Sequence, residues 1–297
     1  MIMKKNLLFV FCLLVAAVSA QAQLLWKISG NGLKSPSYMI GTHHLAPLGV
    51  LDSIAAFPTI KQEVAQVYGE VKMTDMQTMQ MQMMKYMMMP QDTTIAMLLD
   101  AGQLAVVKDT VSKYAGAAVL PALDRIKPNV LSQQLVMMLL AMRIPGFNPM
   151  QQLDSELQKM ATQSGKQTGG LETIDFQAQL LFGQPLSKQA ADLYELVQDV
   201  SMVVKFNQLV YDLYMKQDLQ KIYELAYSEE YLGKFGNSTL ADYEMILDRR
   251  NRNWAQQMPA IMAEAPTLFA VGALHLPGNQ GVIELLKQQG YRVEALQ

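Results

Sequence analysis

The chain has 297 residues, 51% of them hydrophobic and 17% charged, with 24 Lys and Arg against 26 Asp and Glu for a net charge of −2. That composition excludes a disordered chain, which is polar and highly charged, and supplies enough apolar material for a sizeable core. It offers no basic excess for neutralising phosphates, so no nucleic-acid partner is expected.

The first 22 residues read as a cleaved signal peptide. Lys4 and Lys5 form a short basic start, Asn6 to Val18 is almost wholly apolar, and Ala16, Ala17, Ser19, Ala20 and Ala22 are small. The apolar run is too short to span a bilayer comfortably, and small residues at alternate positions suit a cleavage site. An uncleaved N-terminal anchor is the alternative. Cys12 lies inside this run, without the small residues before it that a lipoprotein site requires. Removing the segment takes away two lysines and the only cysteine, and moves the net charge from −2 to −4. An exported chain without cysteine has no disulfides, so packing must stabilise it. No later run approaches about 18 uninterrupted apolar residues, so no membrane span is expected after cleavage. The expected location is periplasmic or secreted.

Residues 23–297 are expected to form one domain, because no linker rich in Pro, Gly or Ser divides them. Leu24 to Ile28 and Ser37 to Ile40 read as two strands around the Asn31-Gly32 turn signal. Val64 to Val71, Thr168 to Glu172, Thr267 to Val271 and Tyr291 to Ala295 read as four more. Helical patterns are predicted over about 75–89, 101–115, 129–143, 150–164, 173–183, 187–227 and 238–259. Strands at both ends and a helical middle predict an α/β fold: a small mixed sheet from N- and C-terminal segments, interrupted by a large helical insertion.

The most biased segment runs from Met73 to Met89 and holds nine methionines. Three readings stay open: a helix packed in the core or serving as a lid, an adaptable apolar surface for substrate, and a soft thioether site for Cu(I). The segment follows Glu70 directly, so it could cover whatever Glu70 does.

The three histidines carry the most information. His43 and His44 lie in Gly41-Thr-His-His-Leu-Ala-Pro47, and His275 lies in Gly272-Ala-Leu-His-Leu-Pro277. Both stretches read Gly-x-x-His-Leu after an apolar strand. A strand-ending glycine lets the backbone turn sharply near a ligand, and the next side chains project from the carboxyl edge of the sheet, where open α/β folds place their sites. If the two strands are neighbours, His44 and His275 face each other. Two imidazoles and a carboxylate can hold a catalytic metal or serve acid–base chemistry without one. Glu70, after Gly69 at another strand end, is the natural carboxylate. His43 is assigned to orienting the loop or supporting His44. The bland reading of any single one of these residues is a hydrogen-bonded loop end.

The paired motifs, with Gly281 to Glu294 after the second, resemble the TraB/PrgY/GumN family, which includes the Tiki proteases. Tyr68-Gly-Glu70, Ile126-Lys-Pro128, Asp154, Gly170-Leu-Glu-Thr173 with Gln177, and Arg249-Arg-Asn-Arg-Asn-Trp254 agree in order with that family's pattern. The resemblance implies a fold like that of erythromycin esterases and haem-binding ChaN-like proteins. It also implies a site of His44, Glu70, Arg250, Asn251 and His275, with Glu172 as a further carboxylate. In the Tiki branch that site implies a metal-dependent endopeptidase, with His44, His275 and Glu70 holding a divalent ion of the Mn, Co or Zn type. His43 departs from the family, which often has an aliphatic residue there.

Two functions follow as expectations. One is an exported hydrolase of peptides, or of small esters or amides, with Arg250 stabilising an oxyanion. The other is an exported protein that binds a peptide, haem or metal in the same cleft without turnover. Spacing alone also allows the helix carrying Arg249, Arg250 and Arg252 to show a solvated basic face with Glu244 and Asp248 as helix-spaced partners, and Trp254 to be helix packing. A serine hydrolase is disfavoured because no Gly-x-Ser-x-Gly motif occurs, and the chain also lacks the His-Glu-x-x-His of common zinc peptidases.

Overall fold

The computed structural model describes residues 23–73, 76–144, 147–148, 151–234 and 238–296. The predicted signal segment, residues 1–22, lies outside them, as do Thr74 and Asp75 within the methionine-rich stretch. All six predicted strands form, as β1 (Leu25–Gly30), β2 (Ser37–Thr42), β3 (Gln66–Val71), β4 (Gln167–Glu172), β5 (Thr267–Gly272) and β6 (Tyr291–Leu296). They make one mixed sheet in the order β4-β3-β5-β2-β1-β6. β4, β3, β5 and β2 run parallel, and β1 is antiparallel to both β2 and β6.

This order follows from burial. β2 is buried at every position and β5 at five of six, as expected for central parallel strands covered on both faces. β6 closes the antiparallel edge with a buried–exposed alternation at its start. Long helical crossovers must connect the parallel strands, and these are the insertion foreseen above. The helices that shape the site are α1 (Met76–Met87), α2 (Pro128–Ala141), α3 (Leu153–Gln163), α4 (Ile174–Phe182), α5 (Val200–Met215), α6 (Arg249–Glu264) and α7 (Val282–Gln288). A main core joins the sheet to the helices on it, with Trp254, Tyr214 and Phe269 fully buried. A second core lies within the insertion, around Leu123, Leu139 and Leu193.

Two predicted helices are broken. The pattern over 187–227 divides into Leu186–Gln198, α5 and Leu219–Ala226. Asp199 and Asp218 accept hydrogen bonds from the backbone N–H groups of Met202 and Lys221, so each starts a new helix. Gln217 turns through φ +58° just before the second break. Apolar periodicity continues across both breaks, so only the two caps reveal them. The pattern over 238–259 divides into Leu240–Tyr243, a π-helical turn at Glu244–Asp248, and α6, which runs on to Glu264. A π turn inserts one extra residue, so Leu240–Tyr243 and α6 are offset from a single continuous α-helix.

Candidate active site

Four adjacent parallel strands end along one edge of the sheet. Thr42 pairs with Gly272, and Val71 with Glu172. The loops leaving β2 and β5 therefore carry His44 and His275 side by side, with Glu70 from β3 and Glu172 from β4 next to them. Close packing at this edge needs glycine. A Cβ on Gly170 would lie 2.2 Å from the backbone N of Lys72, and a Cβ on Gly69 would lie 2.2 Å from the side-chain amide of Gln158. The edge opens into a cleft of about 650 Å³ whose walls include His43, His44, Glu70, Asp154, Arg250 and His275.

Arg250 stands at the centre. Its Nε donates to both Glu172 oxygens at 2.9 and 3.2 Å, and its Nη2 donates to Glu172 at 2.8 Å and to Glu70 Oε2 at 2.6 Å. Nη1 donates to the carbonyl of Ile246, in the π turn, at 3.0 Å, and lies 3.1 Å from His275 Nε2. The guanidinium also packs 4.7 Å from the Trp254 ring centre. Burial opposes its charge, but Glu172 and Glu70 outweigh this and raise its pKa. The solvated-face reading of Arg250 is therefore replaced: it is 6% exposed, and it is Arg252 that pairs with Glu244.

Glu70 is fully engaged. Oε1 accepts from the backbone N–H of Gly272 at 2.8 Å, and Oε2 accepts from Arg250 and, at 2.9 Å, from Gln177. Burial would raise its pKa, yet the neighbouring charges of His275 and Arg250 and the Gly272 amide lower it to about 2. Burial in turn lowers the His275 pKa to about 3, against the attraction of Glu70. His275 is therefore neutral at pH 7, which leaves Arg250 and the Gly272 amide to hold Glu70 ionised.

The His275 ring is fixed on three sides. Nδ1 lies 2.7 Å from Asn251 Oδ1, an acceptor, so Nδ1 carries the proton and Nε2 accepts from Arg250. Trp254 packs on the ring with centres 4.4 Å apart. Asn251 donates in turn to the carbonyl of Gln280 at 2.9 Å. Asn251 thus faces the ring and is not among the residues lining the cleft; it positions His275.

His44 forms a second group. Its Nδ1 lies 3.4 Å from Asp154 Oδ2, and its side chain is 67% exposed to the cleft. Asp154 Oδ2 is buried and makes no hydrogen bond, while Oδ1 accepts from the hydroxyl of Thr42. The Asp154 contact raises the His44 pKa to about 9, with help from the Asp154 and Glu70 charges. His44 is thus protonated at neutral pH. His43 packs 5.2 Å from Tyr214, whose hydroxyl donates to the carbonyl of Gly41 at 2.8 Å. Burial lowers the His43 pKa to about 3, so this histidine is a neutral part of the loop.

Two imidazoles and a carboxylate suit a divalent ion chemically, but the arrangement does not seat one. His275 Nε2 and Glu70 Oε1 are 3.8 Å apart, close enough to share an ion, yet Arg250 donates to both groups. Among the described residues, no three His, Cys, Asp or Glu side chains converge as ligands would. An ion could enter between His275 and Glu70 only with Arg250 drawn back.

Sequence patterns do not reveal the ring contact of His43 with Tyr214, the Gln158 amide that donates to the carbonyl of Val71, or the π turn before α6. Asp154 was visible only through family resemblance, because nothing local ties it to Thr42, 112 residues earlier. Of the methionine stretch, Met73, Met79 and Met83 line the cleft, Met83 and Met87 pack on the Val130–Phe182 cluster, and Met81 and Met84 are exposed.

Comparison with known proteins agrees with this architecture. The chain is 29% identical over 164 residues to the metalloprotease TIKI2 of Danio rerio and 29% identical over 167 residues to the metalloprotease TIKI1 of Homo sapiens. Each match covers 48% of this chain and 32% of the relative, so it spans about a third of those proteins' length. No solved structure matches significantly. The TraB/PrgY/gumN family model matches residues 24–295, nearly all of the described chain, and the protein belongs to that family.

Proposed function

We propose that the protein is an exported hydrolase that cleaves peptide bonds in the strand-end cleft. The observation that carries this reading is the convergence of a charged acid, an ionised carboxylate and a buried guanidinium in one concavity. Its likeness to proteins named metalloproteases supports the reaction class. Export rests on the pattern of residues 1–22.

The chemistry starts from a constraint. A general base works best with a pKa near the working pH, and Glu70 at about 2 is far below it. Its basicity is suppressed by the same Arg250 that would stabilise an oxyanion. A substrate carbonyl oxygen competing for the Arg250 Nη2 proton weakens the Glu70 bond, so the carboxylate gains basicity as the carbonyl is polarised. Glu70 then takes a proton from the attacking water, and His44, protonated and open to the cleft, gives one to the leaving amine. Asn251 and Trp254 hold His275 with its Nε2 lone pair toward the guanidinium, and Glu172 anchors Arg250 throughout.

A second reading has its own support. Neither Glu70 nor any of the three histidines has a pKa near neutrality to activate water, and the relatives are named for a metal. A divalent ion of the Mn, Co or Zn type would require His44 to lose its proton and Arg250 to move. Digestion of a peptide library by the purified protein, with and without chelator, tests both readings. Cleavage that survives chelation supports the first, and cleavage that chelation abolishes and added metal restores supports the second. Stoichiometric binding of peptide, haem or metal with no cleavage would favour a binding protein over either.

A further inference from the structure

The cleft joins a charged edge to an apolar helical lining. Its charged and imidazole groups lie on the strand ends and the loops after them, with Asp154 from α3 and Arg250 from α6. The same cleft is lined by Met79 and Met83 of α1, Val136, Met137 and Leu140 of α2, and Leu181 of α4, together with neutral amide side chains; the α2 residues pack with Leu45, next to His44. The methionine wall is anchored without being rigid. Met89 N–H donates to the carbonyl of Arg125 at 2.9 Å and Lys127 N–H to that of Met87 at 2.8 Å. Tyr86 and Lys85 reach Asp175 of α4 at 2.7 and 2.9 Å. The backbone of α1 is therefore tied down beyond the cleft, while unbranched thioether side chains project into it and can repack around different apolar shapes.

We infer that this helical lining is a specificity subsite for large apolar side chains of a polypeptide substrate, which seats an adjacent amide against Arg250 and Glu70. This rests on the hydrolase reading. A charged side chain entering the same space would lose its water and meet no opposite charge. Leu, Met or Phe side chains replace water there at no such cost, and the cleft as a whole, about 650 Å³, has the volume of a typical ligand pocket. Continuity with the strand-end charges fixes the orientation: apolar part toward the helices, reacting amide toward the sheet.

The test compares two fluorescein-labelled hexapeptides, one of Leu, Met and Phe and one of Ser, Gln and Asp, by fluorescence polarisation on the full chain and on a Met79→Gln/Met83→Gln variant. Both positions are only partly buried, and circular dichroism checks folding. Should α1 fail to form, Met137→Gln makes the same test from the opposite wall. The inference predicts at least tenfold tighter binding of the apolar peptide, a loss of at least tenfold in the variant, and an unchanged weak affinity for the polar one. Equal affinities, no effect of either substitution, or displacement of the apolar peptide only by haem would overturn it. Selective binding without cleavage would leave the subsite standing and remove the hydrolase reading, whereas cleavage without apolar preference would do the reverse.

Discussion

Arg250 and Glu70 meet at 2.6 Å across the carboxyl edge of the sheet, although 180 residues separate them in the chain. The ion pair holds Glu70 ionised, and its partial release on substrate binding is the step from which the proposed chemistry begins.

Replacing Glu70 by Gln keeps the shape and removes the proton acceptor. Peptide hydrolysis should fall by about 10²- to 10⁴-fold, the usual contribution of a positioned general base. The urea midpoint of unfolding should be retained better than in Arg250→Met. Steady-state assays beside denaturation curves check this.

Arg250→Met leaves Glu70 and Glu172 buried without their cation. Breaking a buried ion pair in this way costs about 3–5 kcal/mol, so urea denaturation should show a loss of that size along with loss of activity. Glu172→Gln should weaken activity less, because Glu172 positions the guanidinium. Its signature should be a fall in kcat with little change in KM.

Stability should peak near pH 6.5. His43 and His275 have folded pKa values of about 3, below the ordinary 6.5, so below pH 6.5 the unfolded chain binds more protons and stability falls. His44, raised to about 9, contributes stability that is complete below 6.5 and is lost as the pH rises through 9. Glu70, lowered from 4.5 to about 2, contributes stability that is present above 4.5 and lost as the pH falls toward 2. Melting temperatures from pH 3 to 10 should trace this dome, and His44→Gln should flatten its alkaline side. The alkaline limb of kcat/KM should likewise fall near pH 9.

Gly170→Ala tests the close packing of the sheet edge that carries the two glutamates. Its Cβ would lie 2.2 Å from the Lys72 backbone N, so β3 and β4 must separate. Overpacking of this kind costs about 1–3 kcal/mol, measurable as a shift in the urea midpoint. Activity should drop as well, because Glu70 and Glu172 ride on those two strands.

Some strands were plain in the sequence, Thr267 to Val271 as an apolar run between Pro266 and Gly272 and Tyr291 to Ala295 as an alternation after Gly290, and the repeated Gly-x-x-His element marked two strand ends. Neighbouring placement of β2 and β5 then brought His44 and His275 to one cleft. Helix ends at Asp199 and Asp218 were harder to see, since a cap is a single residue inside a continuing periodicity. Arg250 shows the limit most clearly: a run of three arginines near Glu244 and Asp248 reads as a solvated basic face, yet Arg250 lies on the buried face of α6 with Trp254, Ala255 and Met258, and its partners Glu70 and Glu172 come from distant strands. Asp154 and Gln158 act through partners far away in the chain, a relation that no local pattern encodes.

The most direct test of the shared site is the hydrolysis rate of the same peptide by wild type, His44→Ala, His275→Ala and the double variant. Groups that act as a unit are non-additive, so each single substitution should abolish most activity and the double variant should be no slower than the slower single one. Independent losses that multiply in the double variant would contradict a common site.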